Sequence, residues 1–516
     1  MAITATLVSG CALIGTLPWW YGWIWLAVVA ILGGCMPGVD NETATLQRHY
    51  VQTFDASTLM EGYGGDGTKG FIVHDFTYAS STGASVAVGD LNGDGIADIA
   101  IGAPLSQLGE TGAGLVAIIF GHHVSAANPF ACDIQITTIG SPGETPGRVF
   151  TGVSANGHAG RSVAIGDVNH DGHKDLVFGI AGTTGVYGAF QAVIGGGPLP
   201  VNGSVTSLYS NFDVGFSARG SVSGTGIGTS VGIGDVNGDG FAEIIAGAPA
   251  LIDSGFNRGR LYAVQTPPHC SWGSCACWNF TGCGSIFNAF SPPNVDDANF
   301  AFSIAVGDLD GDHKADVIIS SRYATGGYWP VWVRFGGGSF GTQATVNTGT
   351  AYFGLYAAEY NDQMGYSLAV GDINRDGRKD IVIGVPSASS VLGEGDRAGR
   401  VLVVFGGAGL RHQTMNADEL NGANGFAIVG ANPSDFLGST VAVGDINGDG
   451  IPDIVASTYQ PSDGSPGVYV IFGSKDSKPS EIHISQLASN QFIHISNFYY
   501  GNASYASLRS IAIGDV

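Results

Sequence analysis

One thirteen-residue acidic segment returns again and again along this chain, and a chain that repeats one unit must fold by packing copies of that unit together. The segment Val86-Ala87-Val88-Gly89-Asp90-Leu91-Asn92-Gly93-Asp94-Gly95-Ile96-Ala97-Asp98 recurs with its first aspartate at Asp90, Asp167, Asp235, Asp308, Asp372, Asp445 and Asp515. The intervals are 77, 68, 73, 64, 73 and 70 residues. A period near 70 is too long for a solenoid turn and fits a four-stranded blade with generous loops. Each unit opens with Ser or Thr and an apolar stretch (162–166), passes through the acidic loop, and enters a nearly continuous apolar run (381–384). A third and a fourth strand follow, as at 401–406 and 425–430. Strands without polar alternation are covered on both faces, as they must be in a sheet packed radially between two others. Glycine, 83 of 516 residues, suits a chain full of tight turns, because only glycine takes positive φ without steric cost.

These features predict an all-β fold, a β-propeller over 70–516 with six complete repeats and a seventh that stops at Asp515-Val516. The pattern resembles the FG-GAP repeat of integrin α subunits and of the propeller part of glycosylphosphatidylinositol-specific phospholipase D. Gly102-Ala103-Pro104 and Gly247-Ala248-Pro249 match that family's GAP triplet, and Gly384-Val385-Pro386 nearly does. Ile180-Ala181, Ser320-Ser321 and Ser457-Thr458 depart from it. The resemblance implies a seven-bladed propeller, to which Phe71-Ile72-Val73 would contribute the last strand of a blade.

The loops carry oxygen donors at positions 1, 3, 5 and 9, with glycine at position 6. Calcium takes six to eight oxygens, and such a loop can wrap one ion. The six sets, in loops 90–98, 167–175, 235–243, 308–316, 372–380 and 445–453, begin with Asp90, Asn92, Asp94, Asp98 and Asp167, Asn169, Asp171, Asp175. They continue with Asp235, Asn237, Asp239, Glu243 and Asp308, Asp310, Asp312, Asp316. The last two are Asp372, Asn374, Asp376, Asp380 and Asp445, Asn447, Asp449, Asp453. They are not EF-hands, because position 12 is strand-like (Ile101, Phe178, Ala246, Ile319, Ile383, Ala456) where an EF-hand needs a bidentate glutamate. A metal-free Asx turn is the alternative reading of a single loop of this kind. Six recurrences favour cations, since nineteen carboxylates in six small loops repel one another without them. The fourth loop is the odd one, with His313 in place of glycine and Asp310 in place of asparagine.

With 20 basic against 43 acidic residues the formal charge is −23, which excludes nucleic acid as a partner. No charge precedes Asp40, and 12–32 is apolar enough to span a bilayer as a hydrophobic helix. The segment 1–39 is therefore read as a signal, a lipoprotein signal with Cys35 as the lipidated residue, or a retained anchor. Each reading places the body outside the cytoplasm, secreted or on the cell surface, with 40–69 as a linker or blade-closing segment. Cys270, Cys275, Cys277 and Cys283 crowd one loop, which in an exported chain reads as two local disulfides or, alternatively, a thiolate zinc knot.

Gly228-Thr229-Ser230-Val231-Gly232 matches a nucleophile elbow, yet Ser230 holds the repeat position of Ser85, Ser162, Ser303, Ser367 and Ser510. No nucleophile–base–acid set is left unexplained by the repeats, so no catalytic residue is expected. The reading is a calcium-stabilised, adhesion-like propeller for a protein or glycan ligand. The alternatives are the non-catalytic part of a secreted hydrolase or lyase, and a lectin-like propeller. From the resemblance, the ligand face lies opposite the acidic loops and includes 105–114, 251–259 and 387–399.

Overall fold

The computed structural model describes residues 70–75, 80–124, 127–182, 186–197, 215–250, 259–265, 299–322, 330–337, 352–357, 361–389, 396–459, 467–476, 478–496 and 510–513, with short pieces at 5–6, 25–30, 53–55, 59, 199, 202–204, 252–253, 256–257, 287–291 and 344–345. Six antiparallel four-stranded blades follow one another along the chain. Blade 1 is built from Ser85–Gly89, Asp98–Ala103, Leu115–Ile119 and Gly147–Thr151. The inner strands of blades 2 to 6 are Ala159–Gly166, Ser230–Gly234, Phe300–Gly307, Ser367–Gly371 and Val441–Gly444. The second strands, from Asp98–Ala103 to Asp453–Ser457, are buried at every residue in all six blades. That is the double coverage the apolar runs called for. The core lies between blades: Ile99, Ile101 and Leu115 pack with Phe71 and Val73 on one side of blade 1, and Ala100, Val116 and Phe150 pack with Phe178 of blade 2 on the other.

A backbone contact repeats at several of these interfaces. In blade 1 a Cβ on Gly102 would lie 2.1 Å from the carbonyl oxygen of Gly160 in blade 2, and Ser85 Oγ donates to that same oxygen at 2.9 Å. The arrangement recurs with Gly179, Ser162 and the Gly228 carbonyl, where the added atom would sit at 1.8 Å. It recurs again with Gly247, Ser230 and the Ala301 carbonyl, at 2.3 Å. The glycine of the GAP triplet is thus the place where the next blade's backbone lies directly on a second strand. Ser230 is accounted for by the same contact: its hydroxyl is a blade-to-blade donor, and the elbow-like string is a repeat position.

A complete seventh blade, expected from the resemblance, is not seen among the described residues. Segments from both ends of the chain lie at that place. Val86 N–H of blade 1 donates to Ser510 Oγ at 3.2 Å, and a Cβ on Gly444 of blade 6 would meet Ile513 at 2.7 Å. The segment 510–513 therefore lies between the first and sixth inner strands. Gly70–Asp75, fully buried, takes the place of a fourth strand. It pairs in parallel with Asp133–Gln135, as the fourth strand of blade 1 pairs with Gly203–Ser204 and that of blade 5 with Glu481–His483. Thr53–Asp55 gives blade 6 the matching parallel partner, so part of the 40–69 segment is drawn into the sheets.

The hydrophobic N-terminal segment also departs from expectation. Trp25–Ala30 is not helical; it is a strand antiparallel to Gly70–Asp75, from Trp25 opposite Asp75 to Ala30 opposite Gly70. A free strand edge leaves backbone donors and acceptors unpaired, and an apolar segment rich in Val and Ala answers it. Ala5–Thr6 pairs with that strand in turn. Among the described residues no helix is long and apolar enough to cross a membrane. Cys35 and the four clustered cysteines lie outside the described residues.

The contact predicts that Gly102→Ala or Gly179→Ala pushes two blades apart. We expect either to lower unfolding stability by about 2 kcal/mol or more, measured by denaturant unfolding. Gly143→Ala, where an added Cβ meets nothing within 4 Å, is the control. It carries only the strain of its positive φ, and a loss at Gly102 no larger than that of the control counts against the interlock.

Candidate metal centre

Every acidic loop joins the first strand of a blade to its second, so all six open at the same end of their sheets. Each is drawn tight around its first aspartate. Asp90 accepts the N–H of Gly93 at 2.7 Å and of Gly95 at 2.9 Å. Asp235 holds Gly238 and Gly240 at 2.7 and 2.8 Å. Position-6 N–H groups bond to Asp167, Asp372 and Asp445 in the same way, at 2.9, 3.0 and 2.7 Å. Glycine at position 6 is required here by its φ, +86° at Gly95 and +89° at Gly377. His313 takes this left-handed conformation at +65° and still donates its N–H to Asp308 at 2.9 Å.

Position 9 does a different job. Asp98, Asp175, Asp316, Asp380 and Asp453 are wholly buried, and Glu243 is nearly so. One oxygen of Asp98 accepts Leu91 N–H at 2.8 Å, and the other accepts Gly121 N–H at 2.9 Å, from the chain leaving the third strand. The same two-sided clamp joins Val168 and Gly195 at Asp175, Leu309 and Gly336 at Asp316, Ile373 and Gly406 at Asp380, and Ile446 and Gly473 at Asp453. Glu243, one carbon longer, holds Val236 N–H at 2.9 Å and reaches the Asn237 side chain at 2.7 Å. Burial raises all six carboxyls against the lowering effect of these N–H groups. Asp98, Asp175, Asp380 and Asp453 are pushed up to about 6, and Glu243 and Asp316 to about 7.

Positions 3 and 5 complete the cradle. In five loops the asparagine amide donates to the position-5 aspartate: Asn92 to Asp94 at 3.0 Å, Asn169 to Asp171 at 2.9 Å, and Asn237 to Asp239 at 3.1 Å. Asn374 and Asn447 do so to Asp376 and Asp449 at 3.3 and 2.8 Å. The fourth loop is built otherwise. Among the described residues it is the only place where three carboxylates, those of Asp308, Asp310 and Asp316, gather within 4.8 Å. Arg411 enters it from the connection after the third strand of blade 5: its guanidinium bonds to Asp310 through Nε and to Asp312 at 2.9 Å. It also lies over the Phe335 ring, 5.1 Å from the centroid. Nothing in the 308–316 stretch announces Arg411; the only trace in the sequence is Asp310 standing where asparagine stands elsewhere.

The donor set fits a hard divalent cation, since it is all oxygen and mostly carboxylate. A carboxylate oxygen that accepts one N–H retains a further acceptor site, so the clamps do not use up the donors. Asp90, Asp94, Asp98 and their counterparts in the other loops would hold such an ion, which would supply the positive charge that the buried carboxylates lack.

Radially packed four-stranded blades with an acidic cradle in each first hairpin define a β-propeller of repeated calcium-type loops. The FG-GAP repeat model matches residues 82–119, 227–264, 300–342, 364–404 and 437–471, so the chain carries FG-GAP repeats on a propeller that resembles those of integrin α chains. It is similar to Integrin alpha-PS2 of Drosophila melanogaster, 28% identical over 207 residues, which is 38% of this chain and 13% of that protein. It is similar to Integrin alpha-IIb of Homo sapiens, 30% identical over 214 residues, 40% of this chain and 19% of the relative. Phosphatidylinositol-glycan-specific phospholipase D of Bos taurus matches at 34% over 161 residues, 30% of this chain and 17% of that enzyme. The matched stretch thus spans less than a fifth of each relative.

Raised carboxyl values fix the sign of a pH effect. A folded state that favours the protonated acid is stabilised below its ordinary pKa and loses that stability as pH rises through the raised one. In chelator the melting temperature is therefore expected to fall between about pH 4 and about pH 7. Excess calcium should flatten or reverse that slope, because the cation favours the ionised form. A chelated protein that becomes more stable over the same interval contradicts this account of the clamps.

Proposed function

We propose that this chain is an extracytoplasmic propeller fastened by calcium, and that it binds a protein or glycan partner instead of performing catalysis. The observation that carries the reading is the repetition of one all-oxygen cradle at the same end of every blade. Ions placed there tie the first strand to the second and third through the buried position-9 carboxylate, which is a structural task. A catalytic metal would be needed once, with an open coordination position, and not in every blade. The first-to-second hairpins occupy one end of each sheet, so the second-to-third connections, such as 105–114, lie at the other. Leu105 is exposed there, beside a run of exposed residues, and this end is free to meet a partner.

The similarity to integrin α chains supports an adhesion-like role, with the partner on the face away from the ions. The extracytoplasmic location rests on the apolar N-terminal segment, and on calcium of the strength such modules require being available outside the cell at about 0.1–1 mM. A second reading is favoured by the phospholipase D match: the propeller would then be the non-catalytic portion of a secreted hydrolase. The two differ in what the remainder of the reading frame encodes.

Calcium titration by calorimetry, with thermal melting in calcium and in chelator, tests the proposal. At ten times its dissociation constant each ion adds about 1.4 kcal/mol, so a handful of sites matches a whole domain's stability. We expect a large rise in melting temperature that chelator reverses. Binding without stabilisation, or none at all, leaves the loops as simple turns and removes the support for the reading.

A further inference from the structure

We propose that the fourth acidic loop does not take calcium and that Arg411 is its built-in cation. The proposal deepens the calcium reading, on which it rests. In five loops the position-3 side chain is an asparagine whose amide donates to the position-5 aspartate. Asp310 cannot donate, so the fourth loop has two carboxylates, Asp310 and Asp312, facing each other with no hydrogen between them. Arg411 supplies it to both, bonding Asp310 through Nε and Asp312 through Nη2 at 2.9 Å.

This guanidinium is held in place. It comes from 101 residues along the chain, rests on the face of Phe335, and meets an Asp310 side chain that is only 1% exposed. Planar, permanently charged and able to bridge two carboxylates, arginine suits this geometry where lysine would not. Around the loop, Lys314 lies 3.8 Å from Asp312, the His313 ring lies 4.0 Å from Asp308, and the Arg378 side chain lies beside Gly311.

The convergence of Asp308, Asp310 and Asp316 argues the same way. These three carboxyls gather within 4.8 Å because position 3 is aspartate here and asparagine in the other loops, and the chain brings Arg411 to this crowded point. For a calcium ion to enter, Asp310 and Asp312, two of four side-chain donors, must first give up Arg411, and the ion must then sit beside a fixed positive charge. Arg411 also joins blade 5 to the loop of blade 4, so this fastening works without any ion.

The stoichiometry decides it. Native mass spectrometry and equilibrium dialysis of the full chain with calcium should count five ions. The variant combining Asp310→Asn with Arg411→Ala, which restores the asparagine at position 3 and removes the guanidinium, should count six. Wild type carrying six ions, or equal non-zero counts in the two proteins, overturns the proposal while leaving the calcium reading intact. No ion on either protein defeats both. Hydrogen exchange on the wild type supplies a check that needs no variant. Calcium should slow exchange at Gly95, Gly172, Gly240, Gly377 and Gly450 and leave 311–314 unchanged. Slowing at 311–314 equal to that at the five glycines counts against Arg411 as the cation.

Discussion

Neighbouring sheets here meet backbone to backbone at one repeated point, between blades 1 and 2, 2 and 3, 3 and 4, and 5 and 6. The carbonyl of Gly160 lies over Gly102 where a methyl group would collide with it, and Ser85 satisfies that carbonyl with its hydroxyl. A carbonyl buried between two sheets without a donor would cost about 1–3 kcal/mol. The serine removes that cost, and the glycine permits the approach that makes the hydrogen bond short. Glycine in mid-strand is otherwise unfavourable, so its recurrence at 102, 179, 247 and 384 reports a tertiary need and not a local one. Blade 4 shows the alternative. Its Ser320 occupies the glycine position and turns its hydroxyl to the N–H of Ser303 in its own sheet, at 3.1 Å.

The acidic loops hang from this frame and depend on it. Their position-9 side chains are buried because the second strand that bears them is covered on both faces. Burial makes their charge costly, and backbone N–H groups from two connections compensate only in part, which is why the carboxyls remain raised to about 6 or 7. A cradle with this deficit is suited to a divalent cation. The fourth loop carries, besides the same backbone clamp, a guanidinium from the neighbouring blade against Asp310 and Asp312.

Closure of the ring follows a different logic. The seventh place is assembled from chain segments more than 400 residues apart in sequence, with Ser510 accepting the N–H of Val86. Strands 25–30 and 70–75 stand outside it as third and fourth strands would. Residues 510–513, beside the first strands of blades 1 and 6, couple the first blade to the last.

The sequence by itself determined the repeat, the all-β class, the order of strands within a unit, and the loop donors, because these depend on local spacing and on apolar runs that have only one good home. It also determined that Ser230 is a repeat position, since Ser85 and Ser162 share it. The tertiary structure alone decided the rest. The sequence marked six complete repeats and the opening of a seventh, but the pairing of Trp25–Ala30 with Gly70–Asp75 and of Thr53–Asp55 with blade 6 could not be read from motif spacing, because those segments meet only in three dimensions. The strand at Trp25–Ala30 read as a helix because apolar length is the same signal in both, and the open edge of Gly70–Asp75 chose between them. Arg411 lies 101 residues from Asp310 and in no motif. Its pairing exists because the ring sets blade 5 beside blade 4, a proximity that no local pattern encodes.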